Sequence, residues 1–88
     1  ATGTQTSVVA AAVDTSLLAA NAPRLGAIVY NDSTAILYLL AASGVASTTV
    51  YTVQVPANGT YEVAFGYTGA IRGYWASATG NARVTEYV

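Results

Sequence analysis

Four carboxylates, Asp14, Asp32, Glu62 and Glu86, and three guanidinium groups, Arg24, Arg72 and Arg83, are the only charged side chains in a chain of 88 residues. There is no Lys, no His and no Cys. A Ser nucleophile needs a base beside it, most often His, and thiol or zinc chemistry needs Cys or His. Those classes are closed to this chain. Glycoside hydrolysis needs only two acids at a set separation. Three of the four acids, however, fall at or beside turns or strand ends, where Asp accepts backbone hydrogen bonds, and one small domain leaves little room for a cleft. The expectation is a protein with no catalytic residues and no cofactor.

Asn31-Asp32-Ser33 offers a fragment of a hard-cation loop, but such a site wants several clustered oxygen ligands. An Asx-type hairpin turn is the simpler reading, and no metal is expected. The same triplet and Asn58-Gly59-Thr60 match the glycosylation acceptor pattern, a match that turn composition alone produces.

The cations and the tyrosines divide into structural and contact residues. Arg24, at the entry of a strand, is expected to be structural, in an ion pair with an acidic neighbour such as Asp14 or Asp32 or in contact with backbone carbonyls, and Asn31 and Asp32 to be structural polar residues of a turn. Arg72 and Tyr74 share the outward face of a strand and are candidate cross-chain contacts, because Arg and Tyr are enriched at interface hot spots. Tyr30, Tyr38, Tyr51 and Tyr61 lie within strands, where cross-strand ring pairs stabilise sheets. Tyr67 in a turn and Tyr87 near the last residues are further candidate contacts.

The elements that position these residues are strands. Gly, Asn, Asp, Ser and Pro break the chain every eight to twelve residues, the rhythm of an all-β sandwich or barrel. Strands are predicted near 5–13, 16–19, 24–31, 34–41, 47–55, 60–65, 69–76 and 82–87, giving a small antiparallel β-sandwich of seven or eight short strands. Helical propensity in Leu17-Leu18-Ala19-Ala20 makes a helical turn at 15–21 the competing reading. Pro56-Ala57-Asn58-Gly59 predicts a tight hairpin into inward-facing Tyr61, Val63 and Phe65. Ile71, Gly73 and Trp75 should face the core, with Gly73 marking a bulge or the close approach of a neighbouring ring. Val84 should point in, which obliges Glu86 on the same side to sit at a rim or meet an arginine. Residues 1–7, small, polar and uncharged, read as a flexible N-terminal arm, with 8–88 as the single domain.

Composition bears on partners. More than half the residues are apolar, 53%, while only 8% are charged, against a usual charged share of roughly 25%. A net charge of -1 without a basic cluster is no footprint for nucleic acid or an anionic membrane. The longest apolar stretch, 34–46, falls short of the roughly 20 residues of a membrane helix. A domain of this size removes only about 60–65% of its unfolded surface from water, and without Cys or His neither disulfides nor zinc can reinforce it. Self-association is therefore expected. Starting at Ala fits removal of an initiator Met before a small residue, and the chain is read as a complete product.

The combination LLAANAPRLGAIVYNDSTAILYLL (17–40), ASTTVYTVQVP (46–56) and YEVAFGYTGAIRGYWASATGNARVTEY (61–87) resembles a group of small structural proteins encoded in tailed-bacteriophage genomes. The kernel is Asn21 and Arg24, Asn31 to Ser33, Tyr67 to Gly69, and Trp75 to Glu86. The resemblance implies a virion component. The leading form is a head decoration (cement) protein on the capsid surface, binding the major capsid protein or other virion proteins as a homo-oligomer. A trimer is expected, because capsid lattices offer threefold sites. A neck, head-fibre or tail module is the nearer alternative, and a small host-surface or glycan-binding module the other.

Expected contact residues are Ala1, Thr2, Thr4 and Gln5 on the arm, Ile36, Tyr38 and Leu40 on one strand, and Tyr67, Arg72 and Tyr74. The stretch IVYNDSTAILYLL (28–40) reads as two antiparallel strands about an Asn-Asp-Ser turn. Ile28, Tyr30, Leu37 and Leu39 are assigned to one face and Val29, Ile36, Tyr38 and Leu40 to the other. With apolar residues on both faces, one face is expected to meet a neighbouring subunit.

Overall fold

A computed structural model describes all 88 residues. Eight strands follow in order: β1 (Gly3–Val9), β2 (Thr15–Leu18), β3 (Gly26–Ser33), β4 (Leu37–Leu40), β5 (Val53–Val55), β6 (Thr60–Val63), β7 (Ile71–Trp75) and β8 (Gly80–Tyr87). They form two antiparallel four-stranded sheets, β1-β8-β3-β6 and β2-β7-β4-β5. The chain is all-β, and the sandwich expected from the turn rhythm is the observed architecture. Eight strands wound into two facing sheets in this order make a jelly roll, which closes its core between sheets and leaves few long edges.

The core is a layer of alternating inward residues. Ala27, Val29, Ala82, Val84 and Val63 come from the first sheet, and Leu17, Leu37, Leu39, Val55, Ile71 and Trp75 from the second. Alternation is strict along all eight residues of β3 and along β7, where Ile71, Gly73 and Trp75 are buried between half-exposed Arg72 and Tyr74, as the sequence predicts for β7. Gly73 is required by close approach: a Cβ there would lie 2.7 Å from Leu37 Cδ1 and 3.2 Å from Leu17 Cδ1. The neighbours are leucines rather than a ring, and the irregular register lies opposite, between Ser16 and Leu18 of β2.

Three local expectations are corrected. Residues 3–9 are not an arm but β1, paired with β8 from Gly3↔Tyr87 to Val9↔Asn81, so the sandwich begins inside the segment assigned to the arm. Gly3 to Ser7 are exposed throughout. A strand exposed on both faces needs no apolar alternation, which is why polar Thr-Gln-Thr-Ser hides it. The strand predicted at 16–19 is observed as β2, Thr15–Leu18, and the competing helical turn does not form. Asn31-Asp32-Ser33 is not a turn: β3 runs through it, with Asn31 and Ser33 buried. The chain reverses beyond it and enters β4 in the other sheet, so β3 and β4 are not a pair. Pro56 to Gly59 likewise join β5 of one sheet to β6 of the other, so no hairpin forms there, and Phe65 past β6 is 84% exposed rather than inward. A turn's residues fix its local bend, not whether the next strand joins the same sheet.

Candidate interaction surface and the polar network beneath it

Two buried polar groups hold the sandwich together. Asn31, fully buried in β3, donates from Nδ2 to the carbonyls of Ala35 (2.8 Å), Val55 (3.0 Å) and, at longer range, Pro56 (3.2 Å). Its Oδ1 accepts from Trp75 Nε1 at 3.1 Å and Ser33 Oγ at 2.7 Å. An indole N–H only donates, which fixes the orientation of the amide. Asn31 therefore ties the first sheet to β5 and β7 of the second.

Arg24 is 2% exposed, on the connection between β2 and β3. Its Nε donates to Glu86 Oε2 at 2.8 Å, Nη1 to the carbonyls of Gly69 (2.7 Å) and Tyr67 (3.3 Å), and Nη2 to that of Ala19. The planar fork of Arg suits such a set of acceptors. The structural role expected of Arg24 holds, but its partner is Glu86, not Asp14 or Asp32. The other reading of Glu86, that it meets an arginine, is the observed one.

The remaining ion pairs lie at the surface. Asp32 accepts from Arg83 Nε at 3.0 Å, and Arg83 Nη1 also donates to Ser7 Oγ at 2.8 Å. Asp14 receives Arg72 through Nε at 2.8 Å to Oδ2, and its Oδ1 accepts the Ala46 N–H at 2.9 Å. The hydrogen bond from Arg72 holds the Asp14 carboxyl below its usual value of 3.8, opposed by partial desolvation and helped by the Ala46 N–H. The same hydrogen bond raises Arg72 above its ordinary value. Three pairs thus use six of the seven charges. Glu62 alone has no ion-pair partner.

The residues expected to form a contact surface are only partly brought together. Tyr38 and Tyr74 are direct neighbours across β4 and β7 on the outward face of the second sheet. Tyr38 also meets the ring of Tyr51, centroids 5.2 Å apart and tilted by 58°. Ile36 precedes β4 and is exposed. Leu40 is corrected: it is buried within its own chain. The connection from 41 to 52 supplies the cover. Its Ala46 is buried and anchored to Asp14, and its Gly44 stands where a Cβ would be 3.9 Å from Leu40 Cδ2. The second apolar face of β4 is thus filled partly by the chain's own loop.

Tyr67 is also corrected. It packs against the core, and its hydroxyl donates to the Ala70 carbonyl at 2.8 Å. Arg72 is engaged by Asp14 and is not a free cation for a partner. Ala1, Thr2, Thr4 and Gln5 are exposed, although Thr2 exchanges backbone hydrogen bonds with Val88 at 2.7 and 3.0 Å. The face assignment for 28–40 is revised as well: Val29 points inward with Leu37 and Leu39, while Ile28, Tyr30 and Tyr38 are half-exposed.

Sequence reasoning missed the exposed apolar groups outside the strands. Phe65, Val45 and Val13 are 84%, 64% and 59% exposed. Phe65 lines an open hollow of about 190 Å³ with Ile28, Tyr87 and Glu62. A second, about 260 Å³, is walled by Asp32, Ser33, Thr34, Asn58, Thr79 and Gly80. Both are smaller than the roughly 300 Å³ at which ligand pockets begin. The surface thus combines charges cancelled in pairs with large apolar side chains left in water.

No protein-family model, curated protein or solved structure matches this chain.

Proposed function

We propose that the protein is a non-enzymatic structural component of a bacteriophage virion, a cement protein that associates with copies of itself and with the outer capsid shell. The observation that carries this reading is the surface. Ten large hydrophobic side chains are exposed, Phe65, Val9 and Val45 most of all, and Glu62 is the only charged side chain outside an ion pair. Such a surface gains by burial against protein. A contact of standard size covers about 1,600 Å² in total, and many such contacts around a shell convert modest individual affinities into resistance to rupture.

Two further considerations support it. The sequence kernel resembles small phage structural proteins, and the jelly-roll order is one that viral capsid domains use, a fold-level analogy only, since lectins share it. Copy number in purified particles tests the reading: hundreds of copies fit cement, whereas roughly a dozen or fewer fit a neck, fibre or tail module. Particles lacking the protein should lose heat and osmotic resistance. Unchanged resistance refutes the cement role.

A further inference from the structure

The sandwich has four edge strands, and three of them are poor templates for another chain. β5 has three residues, β6 has four and carries Glu62, and β2 has four with an irregular register. Short, charged or bulged edges are the usual protections against edge pairing. β1 has none of these. It is seven residues long, Gly-Thr-Gln-Thr-Ser-Val-Val, regular in register, without Pro and without charge. No charged side chain occurs before Asp14.

Parity of the ladder tells which backbone groups are free. Thr2 and Val88 exchange both hydrogen bonds, and the Ala10 N–H reaches the Gly80 carbonyl at 3.0 Å. In an antiparallel pair, hydrogen-bonded residues alternate with those whose groups face away. The even residues of β1 therefore bond to β8. The N–H and C=O of Gly3, Gln5, Ser7 and Val9 point to the open edge.

We propose that two copies of this chain pair through β1, antiparallel about a twofold axis at Thr6, joining their first sheets into one continuous sheet of eight strands. The register sets Gly3 opposite the partner copy's Val9 and Gln5 opposite its Ser7, so each free N–H and C=O of these four residues finds a partner. Thr6 meets Thr6 across the axis, a favourable cross-strand pair.

The register is singled out by Val9 and Gly3. Val9 is 72% exposed and stands at the end of the strand. At the other end Gly3 has no side chain, and the Tyr87 ring leans over it, so near that a Cβ would lie 3.0 Å from Tyr87 Cε1. In the pair, Val9 of one copy comes beside Gly3 of the other and covers its exposed Tyr87 ring. A ring leaning over an edge glycine thereby receives an apolar neighbour from the second copy, and both exposed groups are buried. The occupant this fits is a second copy: the ladder, the lack of charge and the Val9–Tyr87 contact are each self-complementary.

This pairing does not depend on the virion reading, and it replaces the expected threefold contact with a twofold one. Sedimentation of the full chain over a concentration series should give a monomer–dimer equilibrium. Gln5→Pro removes an outward N–H that the β8 ladder does not use, so the chain should fold with dimerisation weakened at least tenfold. Val9→Lys, which puts a charge over Tyr87, should do the same without altering the backbone, and serves if the proline variant fails to fold. Amide exchange reads the geometry directly. Protection at Gly3, Gln5, Ser7 and Val9 should rise with protein concentration, while Thr4, Thr6 and Val8 stay protected throughout. A chain monomeric up to about millimolar concentration, a trimer, or a dimer indifferent to Val9→Lys with no such alternation would overturn the proposal. Particle copy number is unaffected by these outcomes, so the two readings fail separately.

Discussion

Arg24 and Phe65 belong to the same corner of the molecule. Arg24 bonds to the carbonyls of Tyr67 and Gly69, in the turn that follows Phe65. Yet the guanidinium is 2% exposed and the phenyl ring 84%. The buried cation has an acceptor for each of its three nitrogens, so its removal from water is compensated locally. The ring outside has nothing from its own chain to cover it. What the contrast teaches is that the polar groups decide how this sandwich closes, whereas much apolar area is left over for other molecules.

If that division is right, substitutions inside should damage folding and substitutions outside should damage only association. Arg24→Ala removes one half of a buried ion pair and strands three carbonyls, and should destabilise by about 3–5 kcal/mol, measured by denaturant unfolding. Asn31→Leu leaves the Trp75 N–H and the Ala35 and Val55 carbonyls without their partner, and about 3 kcal/mol should be lost, with the tryptophan fluorescence altered. Gly80→Ala comes next. Gly80 has φ of 96°, and a Cβ there would run into the Asp32 carbonyl and stand 2.8 Å from Ser33 Cα. Backbone strain of this kind should lower stability by about 1–3 kcal/mol.

Acid probes the surface pair. The Asp14 carboxyl is held below 3.8 in the folded chain by Arg72, so at low pH the unfolded chain takes up this proton first. The stabilisation is complete above the unfolded value and disappears as pH falls through the folded one. Melting temperature followed downward from pH 5 should therefore drop less steeply in Asp14→Asn than in the parent chain. The smallest effect belongs to Phe65→Ser, which should change stability by no more than about 0.5 kcal/mol while reducing attachment to particles. A large loss of stability there would show that the ring is part of the fold.

The parts of the structure that follow from alternation were readable in advance. Trp75 and Val84 point inward, Tyr74 outward, and eight strands are present. Glu86 on an inward register calls for a rim position or an arginine, and Arg24 is the arginine it meets. Asn31 was misread because a buried amide is indistinguishable by type from a turn amide; only the convergence of Trp75, Val55 and Ala35 explains it. Leu40 reads as an interface residue because 47–55 reads as one continuous strand; only Val53–Val55 is strand, and the preceding residues from 41 to 52 fold back as the loop that covers Leu40. A strand near 5–13 is legible, but its polar start, Gly3 to Ser7, reads as an arm because exposure on both faces removes the alternation on which strand recognition rests.

The winding of the sheets bears on how the protein is made. Only the step from β4 to β5 stays within one sheet; every other connection crosses to the opposite one. In the first sheet β8, last to be synthesised, lies between β1 and β3 and bonds to both. That sheet cannot be completed while the ribosome is still short of Tyr87, and β1 waits for a partner through the whole of translation. Pairings between such distant segments form slowly. In that interval β1 is an uncharged strand with both edges unsatisfied, and nascent chains on neighbouring ribosomes are the copies nearest to hand.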